Sequence, residues 1–287
     1  MNLKRLTLTV ALASLPSLSF ATQVLTALPV THSLASALLD GTTVELKRAA
    51  PANLPASRQP SYFSGRGGAS LQKAAQQADA VIGLRSLWRD DPLYPVARRS
   101  NIRIVEIDAA RPVDGALPGI AVSGDDAHAA YPWLNPTNLG RMADVMANDL
   151  ERLSPQDKTR IQSNLAGLKR QLLELAASSQ IRLAKVDNLT VVSLSGRLSY
   201  LASGLNLDVV EQPLPNDWDT AALEALGANL KAQDVALVLD HRQPEAAVAE
   251  VIKASGAKLV VVESDPEDAL GGLKASVDPV LKALGES

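Results

Sequence analysis

Two histidines in this sequence stand where a metal ion can be bound. His32 follows a predicted strand at 24–30, and His241 follows another at 235–239. The chain has three histidines and no cysteine, so thiolate ligands are excluded. Neutral imidazole binds zinc, iron and manganese to different degrees. These positions predict metal chemistry at strand ends. The alternatives are a helix-opening histidine bonded to backbone and a local pair of His241 with Asp240.

Arginines gather at neighbouring positions. A guanidinium binds carboxylate or phosphate through two parallel hydrogen bonds, so arginines at strand ends predict an anionic ligand such as a metal chelate. The alternative is that they are ordinary surface charges. The group consists of Arg58 and Arg66 on either side of Tyr62, Arg85 and Arg89 after the strand that ends at Gly83, and Arg197 after Ser195.

The sequence contains no complete catalytic motif. The glycine-rich segment 65–68 lacks the Lys-Ser/Thr end of a phosphate-binding loop and the spacing of a dinucleotide fingerprint. Segment 193–196 lacks the first glycine of a nucleophile elbow. The sequence has neither paired acids nor a histidine with a nucleophile at a spacing that is diagnostic of a catalytic site. We therefore expect a binding protein rather than an enzyme.

Strands and helices alternate in two halves of the chain, a pattern typical of parallel sheets with helices on both faces. Between the halves, apolar residues recur at helical spacing over 138–177, with a break at Ser154-Pro155. A helix at 266–284 is expected to break near Gly271-Gly272. The predicted fold class is α/β, with two lobes of parallel sheet flanked by helices and joined by a long connecting helix. The expected division is a signal peptide at 1–21, an N-terminal α/β lobe at 22–153, the connecting helix at 154–178 and a C-terminal α/β lobe at 179–287.

The loops after the strands position the candidate side chains. In open parallel sheets, ligands bind beyond the carboxyl ends of the strands. We therefore expect one cleft to be faced by the loops that carry His32, Ser195, His241 and Asp265. The Pro- and Gly-rich segment 49–68 is predicted to be a long loop at the same cleft.

The amino terminus predicts export. Lys4 and Arg5 precede an apolar stretch at 6–15, and Ser19-Phe20-Ala21 has the small residues of a signal-peptide cleavage site. We expect cleavage after Ala21. Because the chain lacks a cysteine that could carry a lipid anchor, we expect a protein that is free in the periplasm. We also expect a monomer. The net charge of -3 argues against a nucleic-acid partner.

Short motifs in a fixed order resemble one family. They are 78–81 (ADAV), 131–136 (YPWLNP), 164–165 (NL), 195–200 (SGRLSY) with Gly204-Leu205, and 262–266 (VESDP). Together they resemble the periplasmic zinc- and manganese-binding solute receptors of ABC importers, the TroA-like cluster A-I. The resemblance implies two lobes that close little on binding, a metal held between them by histidines and carboxylates, and delivery to a permease in the inner membrane.

Three positions depart from this family, where it carries metal-binding histidines. They are occupied here by the segment around Tyr62, by Tyr131 and by Ser195, whereas Asp265 matches the terminal acid. The expected metal ligands are His32, Tyr62, Tyr131, His241 and Asp265, and the expected further ligand contacts are Arg66, Ser195 and Arg197. The expected cargo is zinc, manganese or iron, with no other cofactor. His128 lies in a polar stretch that is either a transient metal-capture loop or a solvated acidic turn.

Two alternatives to a receptor for a bare metal ion stay open. The arginines favour a receptor for an anionic metal chelate, stabilised only by metal together with an organic ligand. The replaced histidines favour an accessory protein that has lost its metal and contacts a partner receptor or the permease. The accessory protein would show no metal-dependent stabilisation.

Overall fold

The computed structural model describes residues 21–112, 120 and 131–285, and its first lobe is built on a parallel sheet. The strands of this sheet are β1 (Gln23–Thr26), β2 (Glu45–Arg48), β3 (Ala80–Gly83) and β4 (Val105–Asp108). Their order is β2-β1-β3-β4. β1 and β3 are buried on both faces, as expected for strands covered by helices. The helices are α1 (Pro29–Leu39), α2 (Gln59–Ser64), α3 (Gly68–Ala75) and α4 (Leu93–Ser100).

The second lobe repeats this topology. Its strands are β5 (Thr190–Ser193), β6 (Asp208–Val210), β7 (Leu237–Asp240) and β8 (Lys258–Val261), all parallel in the order β6-β5-β7-β8. Its helices are α7 (Ser199–Gly204), α8 (Thr220–Ala232), α9 (Ala246–Ser255) and α10 (Ala269–Gly285). In each lobe the strand order reverses between the two central strands, which are β1 and β3 in the first lobe and β5 and β7 in the second. Such switch points open the crevice where ligands bind.

Two long helices lie between the lobes, α5 (Pro136–Leu153) and α6 (Lys158–Leu183). Asn135 caps α5 by accepting hydrogen bonds from the backbone N–H groups of residues 137 and 138. The 26 residues of α6 span about 39 Å at 1.5 Å per residue. Apolar residues of both lobes and of α5 and α6 form one continuous core. The lobes are therefore joined by shared packing as well as by the chain.

Side-chain hydrogen bonds fix α6 to the first lobe. The Asn164 amide donates to the carbonyl oxygens of Leu38 and Asp40, both at 2.9 Å. Before α6, the Asp157 carboxylate accepts from the backbone N and Oγ1 of Thr43 and from Oγ of Ser154. Burial raises the pKa of Asp157, but these hydrogen bonds outweigh it and the pKa lies below its usual range.

The predicted fold class is confirmed, and two local predictions are wrong. Segment 49–68 contains a 3-10 turn at Ala56–Arg58 and α2, because Pro60 occupies the first turn of a helix instead of extending a loop. α10 continues through Gly271-Gly272. The Pro266 ring packs where a Cβ of Gly272 would lie, so this glycine permits close packing rather than a break.

The division into a signal peptide and lobes at the stated boundaries stays a prediction. Within the residues that the structure describes, none of the helices combines the length and apolar character needed to cross a membrane.

Candidate ligand cleft between the lobes

A cleft of about 600 Å³ opens between the two lobes. From the first lobe it is lined by Pro29 and the segment 52–57, and from the second by His241 and the segment that follows β8. Its side chains able to donate to a metal or bear charge are Tyr131, Arg197, His241, Glu263, Asp265 and Glu267. Loops of both lobes thus face one cleft, as expected: the segment after β2 in the first lobe and the loops after β7 and β8 in the second.

Arg197 is the central charge of the cleft. Its guanidinium lies over the Tyr131 ring, 5.0 Å from the ring centre, and its Nη1 donates to Ser264 Oγ at 3.4 Å. Burial raises the pKa of Tyr131, and the Arg197 charge opposes that shift; the same charge acts to lower the pKa values of His241 and Asp265. These three groups therefore lie within electrostatic reach of one guanidinium.

Asp265 holds its proton more tightly than an ordinary aspartate. Burial raises its pKa to about 6, Arg197 opposes the shift, and the charge of Glu263 adds to it. The backbone next to it is fixed by a buried hydrogen bond, in which Trp133 Nε1 donates to the Ser264 carbonyl oxygen at 3.0 Å. The segment before α5 thereby holds the Asp265 loop.

His241 is a neutral imidazole at the edge of the cleft. Burial lowers its pKa, Arg197 lowers it further, and Asp240 opposes both. Its Nδ1 lies 3.1 Å from Asp240 Oδ1, which also accepts from the His241 backbone N. The predicted local pair with Asp240 therefore exists. A metal-binding histidine that uses Nε2 usually donates from Nδ1 to a carboxylate; here Asp240 Oδ1 lies close to Nδ1, but the two atoms are not aligned for a hydrogen bond.

His32 lies beside the cleft but does not line it. Its Nδ1 is 2.8 Å from Oγ1 of the buried Thr26, so the ring is held by a side chain rather than by backbone. Burial lowers its pKa, as does the charge of Arg48, and Glu267 opposes them. Arg48, at the end of β2, also acts on Asp265. Sequence reasoning missed Arg48, which stands at a strand end as His32 does.

Ser195 shapes the loop that carries Arg197. Its Oγ accepts from the Arg197 backbone N at 3.3 Å and so caps the 3-10 turn Gly196–Leu198. The side chain is buried and lies outside the lining of the cleft.

Tyr62 and Arg66 lie together, away from the cleft. The Arg66 guanidinium is 5.5 Å from the centre of the Tyr62 ring, and that ring packs against Gly67 and Phe63. Neither residue lines the cleft. Arg85 is bound by Glu106 through two hydrogen bonds. Of the arginines singled out from the sequence, Arg197 alone lines the cleft. His128 lies outside the described residues.

A smaller chamber of about 230 Å³ adjoins the cleft and shares Tyr131 and Arg197 with it. Most of its wall surface is apolar, and the residues not shared with the cleft are Leu28, Gln59, Pro60, Trp88, Asp90, Asp91 and Pro92. Tyr131 and Trp88 pack edge to face at 5.9 Å, and both contact Trp133 in the same way. Sequence reasoning missed this chamber.

Across residues 21–112, 120 and 131–285, no three histidine, aspartate or glutamate side chains are grouped closely enough to hold a metal ion. The cleft brings together Tyr131, His241 and Asp265 of the predicted ligands. The assignment of metal ligands and of ligand contacts stays a prediction.

Comparison with known proteins identifies relatives of this architecture. The profile of the ZnuA family, described as zinc-uptake complex component A, periplasmic, matches residues 68–276. A search of curated protein sequences gave no significant match.

Solved structures share the fold. FpvC of Pseudomonas aeruginosa is similar in a mutant form (21% identity, TM-score 0.72, covering 92% of this chain and 100% of that one). FpvC in a complex with Ni²⁺ is also similar, with 20% identity and a TM-score of 0.68, covering 93% of this chain and 98% of that one. A ZnuA deletion mutant with zinc bound matches at 20% identity and TM-score 0.66, covering 92% and 98%. A mutant Mn-bound periplasmic metal-binding protein from Candidatus Liberibacter asiaticus matches at 16% and 0.69, covering 92% and 99%.

Proposed function

Because the chain belongs to the family of periplasmic component A proteins of zinc-uptake complexes, we propose that it captures a transition metal in its interlobe cleft and delivers it to a permease in the inner membrane. The family consists of solute-binding components of ABC importers, so the predicted resemblance and the prediction of a receptor rather than an enzyme are confirmed. Relatives of the same fold are described with zinc, nickel or manganese bound. The metal carried by this chain is one of these or iron.

The observation that carries the proposal is the convergence of metal-binding side chains on the cleft. His241 offers a neutral imidazole, Asp265 a carboxylate and Tyr131 a phenol, and all three line one space between the lobes. Nitrogen and oxygen donors of these kinds bind zinc, manganese and iron. A metal bound there would contact both lobes and would favour the conformer that the permease recognises.

We also propose that residues 1–21 direct export and are removed, which leaves a monomer free in the periplasm. The basic start, the apolar stretch and the small residues up to Ala21 support this, as does the lack of cysteine in the sequence.

Thermal unfolding of the chelator-stripped exported protein tests the proposal. Zn²⁺, Mn²⁺, Fe²⁺ and Ni²⁺ are added one at a time, alone and with an equimolar small organic acid. A ligand at about 100 times its dissociation constant stabilises the folded state by about 2.7 kcal/mol. We expect stabilisation in at least one series and its loss in His241→Ala.

His32→Ala is the matched control, because it removes the same ring from a residue beside the cleft that does not line it. We expect this variant to keep the stabilisation. Equal loss in both variants would add His32 to the ligands. If none of the four metals shifts unfolding in either series, the proposal is refuted and the metal-free accessory protein is favoured.

A further inference from the structure

Among the residues that the structure describes, the cleft does not present a preformed set of ligands for a bare metal ion. Zinc takes four ligands in most protein sites. The described part of the chain contains no group of three histidine or carboxylate side chains suited to a metal. The donors that line the cleft are Tyr131, His241, Glu263, Asp265 and Glu267, but no three of its described histidine and carboxylate side chains are gathered around one point. A metal bound there has coordination positions left for ligands that it brings with it.

Arg197 is a positively charged group that would bind an anionic ligand but not a bare cation. It lines both the cleft and the chamber, and it forms no ion pair with any residue that the structure describes. Its contacts are the Tyr131 ring and a long hydrogen bond to Ser264 Oγ. A guanidinium placed in this way repels a metal cation but binds a carboxylate through two parallel hydrogen bonds.

Arg48 adds positive charge from the opposite lobe. Its Nη2 donates to the carbonyl oxygen of Ala52, and its buried Nε has no hydrogen-bond partner. Its charge reaches Asp265, as does that of Arg197. Arg48 lines neither the cleft nor the chamber, so it adds to the positive potential around Asp265 without being placed to contact a ligand there.

The shape of the site also exceeds the needs of an ion. The cleft, with a volume of about 600 Å³, lies within the range of pockets that hold small organic molecules, and the chamber adds about 230 Å³ beside it. Trp88, Tyr131 and two prolines of the chamber suit a flat apolar group. Asp90 and Asp91, which also line it, disfavour a carboxylate there, so the carboxylate is expected at Arg197 and not deeper in the chamber. Gln59, with 1% of its surface exposed, lines the chamber and donates to the Ala27 carbonyl oxygen. Its buried Oε1 has no partner, so it can accept from a ligand donor.

We propose that the natural ligand is a transition metal already held by a small organic chelator that carries a carboxylate and a flat apolar group. Arg197 binds the carboxylate, the chamber takes the flat group, and His241 with Asp265 completes the coordination of the metal. This proposal rests on the proposed function, because it specifies the form in which the metal is captured.

Calorimetric titration with three probes tests the inference. The probes are Zn²⁺ alone, the equimolar complex of Zn²⁺ with iminodiacetate, and the equimolar complex of Zn²⁺ with dipicolinate (pyridine-2,6-dicarboxylate). Both chelators present one nitrogen and two carboxylates to the metal. They differ in that dipicolinate has a flat aromatic ring and iminodiacetate has none. We expect both complexes to bind with an affinity at least about tenfold higher than that of bare Zn²⁺. The dipicolinate complex should have the highest affinity of the three probes.

Two variants separate the contributions. Arg197→Met keeps the length of the side chain and removes its charge, and we expect it to weaken both complexes about tenfold or more. Its matched control is Arg242→Met, an exposed arginine of the same lobe that lines neither space. Pro60→Trp places an indole at the exposed wall of the chamber, and we expect it to weaken the dipicolinate complex about tenfold more than the iminodiacetate complex.

Each outcome decides between the two proposals. Tighter binding of bare Zn²⁺ than of either complex would overturn the chelate inference and leave the proposed function standing. Equal binding of the two complexes, unchanged by Pro60→Trp, would overturn the role of the chamber. If none of the probes binds, and Mn²⁺, Fe²⁺ and Ni²⁺ in the same three forms also fail, both proposals fall.

Discussion

The buried hydrogen bond from Trp133 to the Ser264 carbonyl oxygen gives a sharp test of how the cleft is held together. It joins the segment before α5 to the loop that carries Asp265, over 3.0 Å. Trp133 has 1% of its surface exposed and packs against Trp88 and Tyr131. Trp133→Phe keeps an aromatic ring in this cluster but removes the indole N–H.

The expected cost follows from two effects. The Ser264 carbonyl oxygen, buried without its partner, costs about 1–3 kcal/mol. The space left by the smaller ring adds about 1 kcal/mol. We therefore expect the free energy of unfolding to fall by roughly 2–4 kcal/mol. Ligand affinity should also fall, because the Asp265 loop loses its anchor.

Urea unfolding followed by far-UV circular dichroism measures this change, since that signal does not depend on tryptophan. Trp218→Phe is the matched control. Trp218 is half-buried in the second lobe, and its indole N–H makes no hydrogen bond within the described ranges. An equal loss of stability in both variants would refute the assigned role of the hydrogen bond. Unchanged ligand affinity in Trp133→Phe would refute the anchoring of the Asp265 loop.

Three further predictions concern the frame around the cleft. Gly272→Ala should lower the free energy of unfolding by about 1–3 kcal/mol, because its Cβ overlaps a proline ring, whereas Gly167→Ala, with open space at its Cβ, should raise it by about 0.5–1 kcal/mol. Urea unfolding of both tests this, and equal effects would contradict it. Asn135→Ala should cost about 0.5–2 kcal/mol through loss of the α5 cap; an unchanged urea midpoint would contradict it. The lowered pKa of Asp157 stabilises the fold at neutral pH, and this contribution is lost as pH falls below about 3.9. Asp157→Ala should therefore cost roughly 1–3 kcal/mol at neutral pH and less in acid, and a pH-independent difference in unfolding free energy would argue against this.

Element types were predictable where the local pattern is strong. The apolar run of β3 and the helical spacing of α5 and α6 are properties of short segments, and the structure has strands and helices there. Errors arose where packing outweighs local signals. Pro60 starts a helix inside a segment that contains several prolines and glycines, and Gly272 sits inside a helix because Pro266 packs against it.

The sequence by itself determined which residues stand at strand ends. A parallel sheet places all of its carboxyl ends at one edge, so His241, Asp265 and Arg197 could be assigned to the cleft before the lobes were placed. This argument needs only the order of the elements along the chain. Chain order fixes the edge of a sheet but not the direction of each side chain.

Only the tertiary structure decided which of these side chains meet. Tyr62 turns against Gly67 with Arg66 over its ring, and Ser195 caps a turn, because neighbouring elements offer these side chains closer partners than the cleft does. Arg48 and the chamber beside Trp88 were missed because they depend on contacts between segments far apart in the chain. Such contacts are set by the packing of one shared core around α5 and α6, and the spacing of residues in a sequence does not encode that packing directly.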